Sequence, residues 1–230
     1  MSIISQPTPS QFQAMILDSG GRAHQIKQES NGSRIPDHPN PLALSKWYKA
    51  EIEWATEQID SVEASHNIKH SCSKGCHACC YQPIMVSWNE MRSMIPAIKS
   101  LSGEARDELK GKIQHAIDEL ERQGMRHYNG NTPDTERSHY FNAHIPCPLL
   151  SDDGSCSMYD ARPTTCAVYR NYGDPSDCQT MADPPLSLQF EDWESIVFTR
   201  LLKATKTKKV SDGLRLLPVR LKELFDELHY

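Results

Sequence analysis

The residues most able to do chemistry are four cysteines in one short run, Cys72, Cys76, Cys79 and Cys80. Ordinary core packing does not require four thiols so close together in sequence. Thiolates are soft metal ligands, and a metal ion or cluster needs several of them to converge within a few ångströms. The run therefore predicts a metal-binding site.

The spacing of these cysteines fits more than one metal. Zinc sites use pairs of cysteines separated by a few residues, and iron–sulfur clusters use equally short runs. The Cys79–Cys80 doublet is unusual for a simple zinc knuckle, and it favours a site with more than one metal or two sites that share a wall. If the chain is helical from Cys76, then Cys76, Cys79 and Cys80 lie on one stripe. Cys72 then comes from the preceding turn, where Gly75 lets the backbone bend.

The other four cysteines lie far downstream, at Cys147, Cys156, Cys166 and Cys178. Eight thiols suffice for two four-coordinate sites or for one polynuclear cluster with spare cysteines. Short extended runs on either side of Asp153-Gly154 predict a β-hairpin, and a loop of two or four residues would place Cys147 and Cys156 on the same face. We interpret all eight cysteines as metal ligands. The nearby histidines are interpreted as hydrogen-bonded or solvated rings instead of ligands; they are His70, His77 and His144.

Composition argues against several classes of protein. The net charge of −5 and the pI near 6.1 provide no positive field for a nucleic acid. No stretch approaches the roughly 20 apolar residues that cross a bilayer, and residues 1–10 lack a signal-peptide pattern. We therefore expect a cytoplasmic protein without a nucleic-acid or membrane partner. In that compartment thiols stay reduced, so the cysteines point to metal before disulfides.

The chain divides by composition near residue 40. Residues 1–40 are rich in Ser, Gln, Pro and Gly, and they predict an extended polar arm that is available to a protein partner. Residues 41–230 predict a helical cysteine-cluster domain that binds metal. The expected fold class is mostly α: a single helical domain with a small β-hairpin, wrapped around a cysteine-ligated metal centre.

Helices are predicted from apolar periodicity and capping signals. One begins near residue 43, a second follows the capping box of Ser87 and Glu90, and a third spans about 104 to 124. A short helix after Pro163 carries Cys166, and two more occupy the last forty or so residues. Residues 127–142 are polar and predict a loop.

The ordered cysteine motifs resemble a known family. After Cys-x3-Cys-x2-Cys-Cys come Cys147-Pro-Leu-Leu, then Cys156-Ser-Met-Tyr159, then Arg162-Pro-Thr-Thr-Cys166. This series is similar to the YkgJ-type cysteine-cluster family, a zinc- or iron-chelating domain distantly related to flagellin lysine-N-methylases. The resemblance covers roughly residues 70 to 180 and implies that every cysteine except Cys178 is a ligand. The family often has an arginine directly after the last cysteine, whereas this chain has Ala167 there and its arginine comes later, at Arg170.

Arg162 is the predicted charge partner of the cofactor. Four thiolates around Zn²⁺ leave about two negative charges, and a guanidinium beside the sulfurs offsets them and donates hydrogen bonds. The alternative is a surface arginine that precedes the helix-initiating Pro163. Tyr159 is interpreted as a packed aromatic residue and not as a catalytic acid.

Three functions are consistent with these residues. The first is a metal-binding protein that holds zinc or iron, with an iron–sulfur cluster included. The second is a metal- or cluster-dependent modifying enzyme of the lysine-methylase kind, although the chain has no dinucleotide, phosphate-loop or hydrolase motif. The third is a metal chaperone or accessory subunit. An open or labile metal site favours the second or third function, and a closed four-cysteine site favours a structural role.

Overall fold

The computed structural model describes residues 6–29, 40–73, 75–128, 134–205 and 213–230. Helices dominate these ranges, which confirms the mostly α fold class. In chain order they are α1 (Pro9–Glu29), α2 (Pro41–Ser65), α3 (Trp88–Ser100), α4 (Gly103–Arg122), α5 (Asp134–Asn142), α6 (Thr164–Val168), α7 (Asp177–Thr180), α8 (Glu191–Thr205) and α9 (Leu217–Glu227).

Two small antiparallel sheets complete the described fold. Strand β1 (Met85–Val86) pairs with β4 (Arg215–Leu216), and β2 (Tyr169–Asn171) pairs with β3 (Ser187–Gln189). Strands β1 and β4 lie far apart in the chain, and their pairing brings the start of α3 next to the start of α9. Strands β2 and β3 are separated by only 15 residues. Short 3₁₀ helices occupy Ala78–Tyr81 and Tyr159–Ala161.

The predicted helix starts are present, with side chains that cap them. Asn40 Oδ1 accepts the Ala43 N–H at 2.9 Å at the start of α2. The capping box of α3 is complete. The Ser87 side chain accepts the Glu90 backbone N–H, and the Glu90 side chain accepts the Ser87 backbone N–H. Pro96 lies within α3 without ending it.

The largest apolar cluster of the described chain lies among α3, α4 and α9. Their inward residues include Met94, Ile113 and Leu221, all almost fully buried. Three cysteines pack against this cluster: Cys147, Cys156 and Cys166. The hydrophobic core therefore supports one side of the cysteine-rich region.

The prediction of an extended arm is wrong for Pro9–Glu29, which forms α1. Met15 and Ala23 are buried in an apolar cluster that also contains Trp193 of α8. The Trp193 indole N–H donates to Ser19 Oγ at 2.9 Å. The inward stripe of α1 includes a serine and an alanine, so its apolar pattern is weak in sequence although the face is buried. The proposed division at residue 40 remains a prediction, because residues 30–39 lie outside the described chain.

The loop predicted at 127–142 is also partly wrong, since α5 occupies Asp134–Asn142. Tyr140 and Phe141 are buried, at 2% and 4% exposure, and they anchor this otherwise polar helix. Two adjacent aromatic residues have no helical periodicity of their own, which is why the polar neighbours suggested a loop. Within the described residues, no helix has both the length and the apolar character needed to cross a membrane.

Candidate metal centre

All eight cysteines of the chain line one cavity of about 550 Å³. They come from four separate segments: the run at residues 72–80, the turn at residues 147–156, and the helices α6 and α7. Every thiol is free. The fold therefore brings together all of the predicted cysteine ligands: Cys72, Cys76, Cys79, Cys80, Cys147, Cys156, Cys166 and Cys178.

The first cysteine segment is not the α-helix that the i, i+3, i+4 spacing suggested. Only Ala78–Tyr81 is helical, as a 3₁₀ turn that carries Cys79 and Cys80, and Cys76 lies before it. Gly75 has φ +90°, a left-handed conformation that L side chains rarely adopt, so the predicted bend is present. A loop with one 3₁₀ turn lets the thiols point in more directions than one helical stripe would.

Cys72 is fixed by the end of β2. The Asn171 N–H donates to Cys72 Sγ at 3.3 Å, and the Ser71 N–H donates to the Asn171 carbonyl at 2.7 Å. Backbone N–H groups that donate to sulfur stabilise a thiolate and orient it. This contact links the first cysteine segment to a strand about a hundred residues away in the chain.

The turn at residues 147–156 reverses the chain as predicted, but with a different loop. A single antiparallel bridge joins Leu150 to Cys156, and the Ser151 N–H donates to the Ser155 carbonyl at 2.8 Å. The loop inside that pairing has three residues, ending with Gly154 at φ +79°. The parity argument for two or four residues is therefore wrong.

The direction of the Cys147 side chain is set by a turn and not by a strand. It begins a turn in which the Leu150 N–H donates to the Cys147 carbonyl at 2.9 Å, so strand alternation does not set its direction. The Cys147 N–H donates to the Cys80 carbonyl at 2.8 Å, which joins the turn directly to the first cysteine segment. Two cysteine-bearing segments thus share a backbone hydrogen bond.

The last two cysteines are carried by short helices. Pro163 precedes α6 and Cys166, as predicted. Cys178 lies on α7, which contacts the 3₁₀ helix of Cys79 and Cys80. The Gln82 side-chain amide donates to the Ala182 carbonyl at 2.9 Å and holds these two segments together.

Burial and crowding determine the protonation of the thiols. Burial raises the pKa of Cys147 to about 12 and that of Cys178 to about 12. The Cys80 S–H donates to the Cys79 sulfur, which lowers the pKa of Cys79 to about 7 and raises that of Cys80. A cavity of this kind holds several thiolates at once only when a cation replaces their protons.

Arg162 lines the cavity, and its guanidinium lies 4.3 Å above the centre of the Tyr159 ring. Burial raises the pKa values of Cys156 and Cys166, and the positive charge of Arg162 opposes that effect for both. Tyr159 is 44% exposed, so it packs against the arginine from outside. Arg162 thus has the position and charge to offset thiolates.

Arg170 is a second arginine at the cavity that the sequence did not single out. Its guanidinium is 3.0 Å from Asp60 and 3.8 Å from Glu63, and its charge acts on Cys72. His70, also in the cavity lining, has a buried Nδ1 without a hydrogen-bond partner in the described chain. Sequence spacing gave no signal for Arg170, because its link to α2 forms only in the fold.

The eight sulfurs surround the cavity instead of converging on one point. Among the described residues, three potential ligand atoms lie within 4.8 Å of one another only in the group Asp60, Glu63 and His70. That group already contains a cation, because Arg170 pairs with both carboxylates. Sulfurs on one tetrahedral zinc lie about 3.8 Å apart, given zinc–sulfur bonds of about 2.3 Å.

His77 and His144, which the sequence also suggests are not ligands, contact backbone carbonyl groups. His77 Nδ1 is 3.4 Å from the Gly75 carbonyl, and His144 Nδ1 is 3.1 Å from the Phe141 carbonyl. Both contacts are local in sequence, which agrees with the interpretation of hydrogen-bonded rings.

A second cavity, of about 1030 Å³, adjoins the first. Both cavities are lined by Cys79 and Cys166, so these two residues form a common wall. The rest of the larger cavity includes Trp88 and Arg92 of α3 and Phe198 of α8. No sequence motif indicates this cavity, because it forms between helices that are far apart in the chain.

Comparison with known proteins agrees with the cysteine motifs. The family model CxxCxxCC, described as "Putative zinc- or iron-chelating domain", matches residues 71–194. No curated protein and no solved structure matches the chain. The matched stretch covers more than half of the sequence, and it extends past Cys178, which the resemblance had left out. The chain therefore belongs to the CxxCxxCC family.

Proposed function

We propose that this protein binds zinc or iron through the thiolates of its eight cysteines, with Arg162 as a charge partner of the bound metal. The observation that carries the proposal is that all eight thiols, from four separate segments, line one cavity. Eight soft donors in one cavity suit zinc, iron and iron–sulfur clusters, all of which cysteines bind as thiolates.

The charges around the cavity support this proposal. Uncompensated thiolates would repel one another, and burial makes each of them more costly. A metal cation supplies most of the compensation, and the guanidinium groups of Arg162 and Arg170 offset what remains. Eight thiols and two arginines around one cavity therefore support the proposal of a thiolate metal centre.

The spread of the sulfurs favours more than one metal ion. A single tetrahedral ion uses four sulfurs about 3.8 Å apart. Here the donors are twice as many and surround about 550 Å³. An iron–sulfur cluster, or more than one zinc ion, fits that arrangement better than one isolated ion.

Anaerobic purification with elemental analysis and a visible spectrum tests the function. We expect stoichiometric zinc in a colourless sample, or iron with acid-labile sulfide in a brown one. A folded protein that binds neither metal after reconstitution would contradict the proposal.

Two substitutions test the ligands. We expect Cys79→Ser and Cys80→Ser to lower the bound metal per chain, because a serine hydroxyl is a poor ligand for a soft metal site. Ser73→Ala, a neighbour that also lines the cavity, is the matched control and should retain the metal. Equal metal content in all three variants would refute the assignment of Cys79 and Cys80.

A second candidate function is a metal-dependent modifying enzyme of the lysine-methylase kind. The observation that favours it is the cavity of about 1030 Å³ that shares Cys79 and Cys166 with the cysteine cavity. Clefts lined by apolar and aromatic side chains and a few polar groups are typical of organic ligand sites. In this protein such a pocket would place a substrate beside the bound metal.

Access from the larger cavity can be measured without knowledge of the substrate. Imidazole should shift the spectrum of the iron protein, or of the cobalt-substituted protein if the native metal is zinc. Ser195→Trp, which fills the larger cavity from α8, should abolish the shift, whereas Ser61→Trp on the exposed side of α2 should not. An unchanged spectrum in the wild-type protein would favour a closed structural or storage role.

We also propose that the protein works in the cytoplasm, where reducing conditions keep eight free thiols available to metal. Cys76 is exposed at the mouth of the cavity, which supports metal exchange with another protein as the role of a chaperone or accessory subunit. Transfer of the metal to a partner, followed by mass spectrometry of both proteins, would test that role.

A further inference from the structure

We propose that the larger cavity binds an aromatic monocarboxylic acid, with the carboxylate on Arg92 and the ring against Trp88. This proposal rests on the second candidate function, a ligand pocket beside the metal, and adds the chemical class of the ligand. Three observations support it: an arginine without a partner, an aromatic wall next to that arginine, and the formal charge of the cavity lining.

Arg92 is the positive charge of the cavity that is available to a ligand. It belongs to α3, is partly buried and lines the cavity. Among the described residues, its guanidinium forms no hydrogen bond and no ion pair. A partly desolvated guanidinium gains free energy when acceptors replace its lost water. Two of its parallel N–H groups match the two oxygens of a carboxylate.

The other arginine in the cavity lining is already occupied. Arg137 pairs with Asp183 at 2.6 Å and donates to the Ala182 carbonyl at 3.3 Å. A bound anion would compete with Asp183 for Arg137, whereas no carboxylate of the described chain pairs with Arg92. We therefore place the anionic group of the ligand at Arg92.

An aromatic wall lies next to Arg92. Trp88 precedes Arg92 by four residues in α3, so the two side chains share one face of the helix, with Cβ atoms about 5–6 Å apart. Tyr128, Tyr169 and Phe198 also line the cavity. A ring that packs against Trp88 can therefore present a carboxylate to Arg92 when the two groups are joined directly or through one carbon.

The charge of the cavity favours a ligand with a single negative charge. Two arginines and three glutamates are the charged residues of the described lining, which leaves a formal charge of −1: Arg92, Arg137, Glu191, Glu194 and Glu227. Glu194 accepts hydrogen bonds from Thr165 and Gln189 and does not pair with Arg92. A phosphate monoester carries about −1.5 to −2 charges at neutral pH, so these glutamates oppose it more strongly than they oppose a carboxylate.

The size of the cavity relates this ligand to the cysteines. A volume of about 1030 Å³ is at the upper end of organic ligand sites, so a bicyclic acid fills only part of it. Cys79 and Cys166 form the common wall with the cysteine cavity. The remaining space accommodates a substituent that extends from the ring to this wall.

Three matched probes test the proposal on the full-length protein as purified. Naphthoate, naphthamide and naphthyl phosphate have the same ring system and differ in charge. In isothermal titration calorimetry at neutral pH, we expect naphthoate to bind about 10- to 100-fold more tightly than naphthamide, because only naphthoate forms charge-assisted hydrogen bonds with Arg92. Naphthoate should also bind more tightly than naphthyl phosphate.

Substitutions assign the preference to Arg92. Arg92→Met keeps an unbranched apolar side chain and removes the charge, so naphthoate should bind this variant no more tightly than naphthamide does. The affinity for naphthamide should not change. Arg122→Met, at an exposed site on α4, is the matched control and should keep the preference. Ser195→Trp should weaken the binding of both probes, because the indole occupies the cavity.

Equal affinity of naphthoate and naphthamide for the wild-type protein, absence of binding, or a preference that survives Arg92→Met would overturn the proposal. Tighter binding of naphthyl phosphate would overturn it in favour of a phosphate ligand. Elemental analysis of the same samples keeps the two proposals separate. If the protein holds no metal and yet binds naphthoate through Arg92, the metal-binding function fails and the acid site stands.

Discussion

Glu90 connects the start of α3 to the start of α6 through Thr164. The Glu90 Oε1 accepts the Thr164 N–H at 3.1 Å and the Tyr48 O–H at 2.9 Å. Its Oε2 accepts the Ser87 N–H at 2.8 Å and so completes the capping box. One fully buried carboxylate therefore holds the N-termini of both α3 and α6. Its contact in α6 lies two residues before Cys166, a proposed metal ligand.

The first prediction concerns this carboxylate. Glu90→Gln replaces one acceptor oxygen with an amide donor, which leaves buried donors unpaired. We expect the free energy of unfolding to fall by about 1–3 kcal/mol. Urea unfolding at neutral pH measures this change, and Glu57→Gln, on the exposed side of α2, is the control. Equal stability of wild type and Glu90→Gln would show that the hydrogen bonds accepted by the Glu90 carboxylate contribute no net stability.

The second prediction concerns Gly154, which meets the first cysteine segment. A Cβ at this position would lie 3.1 Å from His77 Nδ1 and 3.4 Å from the Gly75 carbonyl, and φ is +79°. Gly154→Ala should destabilise the protein by about 1–2 kcal/mol from the left-handed conformation alone. Because the His77 ring, next to Cys76, must also give way by a few tenths of an ångström, the metal should leave faster in a chelator assay.

Gly111→Ala is the matched control for that change. Gly111 lies in α4 and has no atom within 4 Å of a built Cβ. Alanine in a helix interior should raise stability by about 0.5–1 kcal/mol and leave the metal untouched. Equal behaviour of the two alanine variants would contradict the steric argument.

The third prediction concerns Arg162. Its removal leaves the thiolate charge less compensated, so Arg162→Ala should weaken metal affinity by about 10- to 100-fold. Arg162→Lys should retain part of the affinity, because the charge persists while the planar guanidinium is lost. Competition with a chelator of known affinity measures both. Arg122→Ala, at an exposed site on α4, should have no effect, and an equal loss there would point to a non-specific charge effect.

The fourth prediction concerns Glu63, which accepts the Tyr172 O–H at 2.7 Å. Burial raises the pKa of Glu63 above its ordinary value of 4.5, while Tyr172 and Arg170 oppose the shift. The native state therefore binds this proton more tightly than the unfolded chain does. The stabilisation that results is fully present below the ordinary pKa and is lost as the pH rises through the native pKa.

Glu63→Gln removes that dependence. The stability of the wild-type protein relative to this variant should increase as the pH falls from about 7 to about 4.5. Urea unfolding of both proteins across that range gives the difference, in which acid effects common to the two cancel. A constant difference would show that Glu63 titrates normally in the native state.

Local features of the fold were readable from the sequence. The capping box of Ser87 and Glu90 and the stripe that includes Ile113 in α4 depend on residues three or four apart, so their signals lie within one segment. The same logic failed for α1, where Ser19 occupies an inward position and bonds to Trp193 across the core. Its burial depends on a residue far away in the chain.

The site shows the same contrast. The spacing of Cys72, Cys76, Cys79 and Cys80 predicted convergence on metal but suggested a helical stripe that does not form. The pairing of Cys147 with Cys80, and the contribution of Arg170, required contacts between distant segments.

By itself, the sequence determined the donor chemistry and the mostly helical class, because residue types and periodicity are properties of short segments. Only the tertiary structure decided that all eight thiols line one cavity, that Arg162 and Arg170 line it too, and that a second cavity shares Cys79 and Cys166 with it. Those relationships arise where segments widely separated in the chain pack together, so they cannot be predicted from any local sequence pattern.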